Sequence, residues 1–356
     1  MNEHPAIRAS STLRGAAVTS ACLAQTGGNP ASSPVGVPQV GSFHLGGRQV
    51  SLSGLPRREV VLTQGGPPLE VDPNGDFETG QMYVQYVRQS GPFAKAKYPL
   101  LLWHGGGLTG VTWETTPDGR PGWQQYFLNA GHDVYVSDAV ERGRASWSRY
   151  PEIYDSEPVF RTKRESWELF RFGPAGSYDP APERRTTFAG TRFDVSSFEQ
   201  LAKQTVPRWT SNDAATQAAY DALVDRIGPC VIVAHSQGGN FALRAALRAP
   251  DQVKAVIAIE PSGAPDPDEV DLSGLRAVPH LFIWGDFIDD APFWRTVTSN
   301  VRRYADALAR NGGVSDWMPL PELGIRGNSH MPMMDRNSDA IAGMVQDWLT
   351  RQGLMK

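Results

Sequence analysis

The stretch CVIVAHSQGGNFALRAALRAP, residues 230–250, joins two kinds of secondary structure with almost nothing between them. Its apolar run reads as a buried strand, and FALRAALRA has the period and the Ala, Leu and Arg content of a helix. Almost no loop separates the two, so Ser236 must occupy a turn tight enough to strain its backbone. Such strain costs about 1–3 kcal/mol and persists where it serves a function.

Working outward, the chain of 356 residues is long enough to bury a large core, as one α/β domain or a domain with an insertion. Composition is that of a globular protein: 40% hydrophobic, 20% charged, formal net charge −4. No basic excess points to nucleic acid, and no acidic tail points to a disordered partner arm. No apolar stretch approaches the roughly 20 residues that span a bilayer. The two cysteines, Cys22 and Cys230, are too few and too separated for a disulfide framework or a metal site, and both read as structural or incidental. No histidine pair has metal-ligand spacing. HLGGRQ opens no helix, so it is no dinucleotide fingerprint, and no cofactor is expected. Residues 1–36 read as a leader: two Arg, a weakly apolar small-residue run, then Gly, Pro and Ser. ACLA before Gln25 is similar to a signal-peptidase site, but GAAVTSACLA makes a poor hydrophobic region. Periplasmic or secreted placement follows if the leader is a signal peptide, and cytoplasmic placement if it is a disordered extension.

From residue 40 the segments SFHLGGRQVSLSG, REVVLT and GQMYVQYVRQ read as antiparallel strands. Buried strands then alternate with helices: YPLLLWHGGG, DVYVSDAV, CVIVAHSQGG, VKAVIAIEPSG and VPHLFIWGDFID. Helices are expected at GWQQYFLNAGH, 213–228, near 292–311 and at RNSDAIAGMVQDWLTRQ, with a strand near DWMPLPELGI. Strands separated by helices predict a mostly parallel central sheet flanked by helices, whose ligand site lies outside the carboxyl ends of the strands. One interval breaks the rhythm. Almost ninety residues, 141–229, stand where one helix would suffice. A structureless loop of that length is rare in a compact domain. The expected organisation is therefore a core of 37–144 and 213–356, with 145–212 inserted as a cap whose aromatics line a substrate pocket.

AHSQG (234–238), with a strand before and a helix after, is the setting of a nucleophilic serine, Ala234 standing where the pattern has its first Gly. With this motif the chain resembles the α/β-hydrolases. That fold delivers its triad in the order Ser, acid, His. Five of the seven histidines, His4, His44, His104, His132 and His235, precede Ser236, and His280 begins a buried strand. His330, in a loop before the last helix, is left as general base. Two carboxylates close strands at the right edge, Asp286 in FIWGDFID and Glu260 in VIAIEPSG. The wider pattern resembles a bacterial and fungal esterase branch in which HGGG, AHSQGG, IEPSG and GNSHMPMMDRN occur together. That resemblance implies Glu260 as the triad acid, with Asp286 structural or orienting the loop. It also makes the amides of Gly106 or Gly107 and of Gln237 the oxyanion donors. Asp138 and Arg142 in DAVERGRASWS are expected to brace the exit of the fourth strand.

A serine carboxylic ester hydrolase acting on a small or medium ester through an acyl-enzyme is the function implied. Lactonase, amidase or acyltransferase activity would use the same triad, because fold and catalytic residues do not define the substrate. A dehalogenase or epoxide hydrolase would need Asp at 236. A non-catalytic hydrolase-fold binding protein is the remaining alternative, with all the catalytic elements against it. The expected partner is the small-molecule substrate, and a homodimer is left open.

Overall fold

A computed structural model describes residues 39–356. The leader segment and Cys22 lie outside the described residues. Two long strands with alternating exposure, β1 (Gln39–Leu52) and β4 (Gly75–Arg88), pair antiparallel. Between them β2 (Arg58–Val60) and β3 (Leu69–Val71) form a separate two-stranded sheet. REVVLT was expected as a strand alongside its neighbours. It pairs only over its first three residues and leaves Val61 and Leu62 exposed, because Gly65–Gly66 and two prolines turn the chain back on itself.

The remaining strands are short and buried: β5 (Leu100–Trp103), β6 (Val134–Asp138), β7 (Cys230–His235), β8 (Val253–Ile259), β9 (His280–Trp284) and the less buried β10 (Ser315–Pro319). The eight-stranded sheet has the order β1-β4-β6-β5-β7-β8-β9-β10, and only β4 runs against its neighbours. The chain passes from β5 to β6 on one side and then to β7 on the other. The order of connection therefore reverses between the parallel strands β5 and β7, the position where open α/β sheets gather their ligands.

Helices α1 (Val111–Glu114), α2 (Trp123–Ala130), α3 (Lys163–Leu169), α4 (Phe198–Ala202), α5 (Asp213–Ile227), α6 (Gln237–Arg248), α7 (Pro292–Arg310) and α8 (Ser338–Arg351) cover the sheet. One apolar layer joins the sheet to residues of α5, α6 and α7, such as Tyr220, Phe241 and Val301, and Tyr220 stacks on Trp103 at 3.9 Å. The opposite layer holds Phe127 of α2 and Val345 of α8. Trp167, Phe172, Phe193 and Phe198 from the 145–212 segment share that second layer. Phe170 belongs to this layer too, so five of the segment's twelve aromatics join the sheet's own core, while Phe170 and Phe188 also line cavities and Trp147, Tyr150 and Phe160 are exposed. Cys230, first in β7, is free and fully buried, and burial pushes its thiol up to about 12. No helix among the described residues is long and apolar enough to cross a membrane.

Candidate active site

Strand β7 is buried along its whole length, and α6 begins one residue beyond Ser236. Its φ of 51° and ψ of −117° lie where non-glycine residues are rare. Burying each large aliphatic side chain of β7 is worth about 1.5–3 kcal/mol, enough to offset the strain of this one turn. Close packing forbids larger neighbours. A side chain at Gly238 would start 2.7 Å from the His104 carbonyl, and one at Gly239 would start 2.6 Å from Pro261 Cβ. The Ser236 side chain makes no capping hydrogen bond to α6, so its hydroxyl is not consumed by the helix it precedes.

Six non-glycine residues have positive φ among those described, and Arg171, Ser236, Glu260 and Phe287 all gather at this edge of the sheet. Glu260 follows β8 and is fully buried. No helix follows it that its carboxylate could cap. One oxygen, Oε2, lies 2.7 Å from His330 Nδ1; the other, Oε1, accepts from Gly285 N (2.6 Å) and Arg171 Nη2 (2.5 Å). Burial would raise this carboxyl, but the Arg171 cation and the His330 hydrogen bond overcome it and hold the pKa at about 2. Asp286 takes a different course. Its oxygens accept from Phe287 N and Gly327 N, both at 2.9 Å, and its own amide donates to the Asn328 carbonyl. It ties the end of β9 to the loop that carries His330 and does not bond the imidazole.

That loop is held from several sides. The buried Asp335 carboxylate accepts from Asn328 Nδ2 (2.8 Å), Ser329 N (2.9 Å) and Ser329 Oγ (2.8 Å). Burial nevertheless pushes Asp335 up to about 7. The His330 amide donates to the Phe170 carbonyl at 2.9 Å, and its own carbonyl accepts from His235 Nε2 at the same distance. Its ring lies between Trp294, with centroids 4.0 Å apart, and Phe170 at 5.6 Å. Burial lowers the imidazole to about 4; Glu260 opposes that shift, and Arg171 and Arg161 add to it. His330 is therefore neutral at pH 7, its Nδ1 proton facing Glu260. The Ser236 and His330 side chains line one cavity of about 110 Å³, and no hydrogen bond joins them.

Gly106 and Gln237 line the same cavity. His104 secures the glycine loop: its Nε2 accepts from Ala139 N (3.0 Å), which leaves Nδ1–H for the Gly105 carbonyl (2.8 Å). Gly107 has φ +72° and accepts from Val206 N at 2.9 Å, joining the loop to the 145–212 segment. Gln237 heads α6, where the first amides have no partner within the helix. Its side chain is anchored to Asp213 Oδ1 at 2.9 Å.

The β6 exit departs from expectation in one partner. Asp138 binds Gly110 N (2.7 Å), Arg144 N (2.8 Å) and Arg144 Nε (2.7 Å), whereas Arg142 pairs with Glu141 at 3.2 Å. Gly143, at φ +43°, turns the chain so that Arg144 and not Arg142 points back at the carboxylate. Sequence reasoning missed Arg171 altogether. It is fully buried, pairs with Glu260, and donates from Nε to the Asp286 carbonyl at 2.8 Å, linking both acid-bearing loops. A lone cation inside the aromatic run SWELFRFG was the available signal. His280 Nδ1 donates to Val278 O (2.8 Å), away from the cavity.

Among the described residues, no group of three or more His, Cys, Asp or Glu is placed to hold a metal ion. A family profile described as alpha/beta hydrolase fold matches residues 98–282. The probable secreted lipase phiG of Fungal sp. (strain ATCC 74256) is 29% identical over 346 residues, covering 78% of this chain and 88% of the relative. The solved structure described as a novel bacterial esterase superposes with a TM-score of 0.75 at 33% identity, covering 90% of this chain and 98% of that one.

Proposed function

This chain belongs to the α/β-hydrolase family, and on that premise we propose that it is a serine carboxylic ester hydrolase with Ser236, His330 and Glu260 as its triad. The contact between His330 Nδ1 and Glu260 Oε2, with His330 and Ser236 on one cavity wall, is the observation that carries the reading. Ser236 Oγ attacks the ester carbonyl as His330 Nε2 takes its proton, and the anionic Glu260 stabilises the imidazolium. The tetrahedral oxyanion is held by the Gln237 amide and that of Gly106 or Gly107. His330 returns the proton to the departing alcohol. Water then attacks the acyl-enzyme by the same route and releases the acid. The 145–212 segment acts as the lid of this site. The secreted lipase relative supports export of this chain as well.

Treatment with a fluorophosphonate should place one adduct on the peptide containing Ser236 and stop hydrolysis of 4-nitrophenyl butyrate in proportion. An adduct elsewhere, or activity that survives full labelling, overturns the assignment.

The pH profile is a second expected result. From an ordinary imidazole near pKa 6.5, activity would be half lost near that pH. Burial lowers His330 to about 4, so the neutral base persists through pH 6 and kcat/KM declines only as the pH falls toward 4. His104 and His280 are also lowered to about 4 by burial. The stability these groups contribute is complete above their unfolded pKa near 6.5 and is lost as the pH falls through about 4. Initial rates, with recovery checked on return to pH 7, separate titration from acid unfolding. A reversible midpoint at 6.5 or above would rule out a buried His330 as the base.

A further inference from the structure

Most guanidinium groups around the site hold a carboxylate at 3.2 Å or less: Arg171 with Glu260, Arg142 with Glu141, Arg144 with Asp138, Arg185 with Glu199. Two that line the Ser236 cavity do not. Arg161 has no ion pair or side-chain hydrogen bond among the described residues, and it lies over the Phe170 ring at 5.4 Å. The neighbouring acid, Glu165, accepts from Thr162 N (2.7 Å) in the capping box of α3. Arg208 reaches only Asp213, at 4.0 Å, and that carboxylate already accepts from Gln237. Arg208 Nε is buried without a partner.

Both cations lie over the glycine loop. A side chain at Gly106 would begin 2.9 Å from Arg208 Nη1, and one at Gly107 would begin 3.7 Å from Arg161 Nε. The backbone holds them there. Val159 and Arg208 exchange hydrogen bonds of 2.7 and 3.1 Å, and Val206 N binds the Gly107 carbonyl. A second cavity of about 420 Å³ shares Arg161, Leu169, Phe293 and Trp294 with the first, so Arg161 stands where a small chamber meets a larger one, whose wall also carries Glu165, Glu168 and Asp290. Glu165 and Asp213 offset the two charges only through space and at the 4.0 Å limit of contact, so neither guanidinium has a hydrogen-bonded carboxylate, and an anion that joined both would relieve their repulsion. Guanidinium forks match the two oxygens of a carboxylate.

We propose that Arg161 and Arg208 form a carboxylate-binding subsite beside Ser236, and that the preferred substrate is a short ester bearing a second, free carboxylate. This rests on the ester-hydrolase reading above. The reaction balances as ordinary hydrolysis: water is consumed, the ester C–O bond breaks, and the second carboxylate is bound but unchanged.

The test compares ethyl hydrogen glutarate with ethyl pentanoate and diethyl glutarate, following acid release by pH-stat. The monoester should have a kcat/KM at least about tenfold higher than either neutral ester, as charge-assisted hydrogen bonds warrant. The advantage should shrink as salt rises from 0.01 to 1 M. In Arg161→Met and Arg208→Met the ratio should fall severalfold, in the double variant to about one, and Lys at either position should keep part of it. Free glutarate should compete with 4-nitrophenyl butyrate in the unaltered enzyme, a measurement that needs no variant to fold. A ratio of one or less with neutral esters still cleaved overturns the subsite and leaves the esterase reading standing. No cleavage of any ester, and no fluorophosphonate adduct, overturns the esterase reading itself. A preference that survives the double variant, or competition by inorganic phosphate with none by glutarate, overturns the carboxylate assignment.

Discussion

Ser236→Ala should lower kcat for small esters by about 10⁴–10⁶-fold, the range seen when a serine nucleophile is removed, and leave the fold unchanged. Alanine keeps the Cβ, so the helix start, the strained turn and the fully buried β7 beneath it all remain. Only the hydroxyl is lost, and it makes no capping bond that α6 would miss. Thermal unfolding should therefore match the parent closely. Ser236→Gly adds an internal check. It should be equally inactive and, by relieving a positive φ of 51°, no less stable. Ester hydrolysis by Ser236→Ala at more than a few per cent of the parent rate would show that another group attacks the carbonyl.

Glu260→Gln should cost about 10⁴-fold in kcat, whereas Asp286→Asn should cost no more than about tenfold. A glutamine amide facing His330 Nδ1 becomes a donor, which forces the ring proton onto Nε2, where it can no longer receive one from Ser236. The asparagine at 286 still offers an oxygen to Gly327 N and keeps the loop in place. Glu260→Gln also strands Arg171, since both partners of that pair are fully buried. Loss of one member of such a pair destabilises by about 3–5 kcal/mol. The double variant Glu260→Gln/Arg171→Met removes the stranded charge. It should recover much of the unfolding temperature and none of the rate, which separates catalysis from stability. A larger loss for Asp286→Asn than for Glu260→Gln would move the acid to β9.

Some of this site was legible along the chain because its signals are local. The abrupt change from an apolar run to a helical period marked the turn at Ser236, while the place of the HGGG glycines beside it came from the esterase resemblance. His330 emerged by order along the chain. Glu260 and Asp286 remained competitors on the residues themselves, since each closes a buried strand in the same way. Their side chains part only in three dimensions. Arg144 displaced Arg142 at the β6 exit through one glycine turn, a difference of two residues that no spacing rule resolves. Gly238 and Gly239 lie against the His104 carbonyl and Pro261, which stand just beyond the ends of β5 and β8 and which no local pattern identifies.

The alternation of buried strands and amphipathic helices, the mostly parallel sheet this builds, and the edge at which the polar residues collect are all written in the chain. Those follow from burial and backbone periodicity, which act between near neighbours. The folded arrangement settles which carboxylate meets His330, that Arg171 stands behind it, and that Arg161 and Arg208 line the cavity with no hydrogen-bonded carboxylate. Ion pairing and burial are set by groups 70 or more residues apart, as in the His330–Glu260 contact, and only the folded sheet brings those strand ends within a few ångströms.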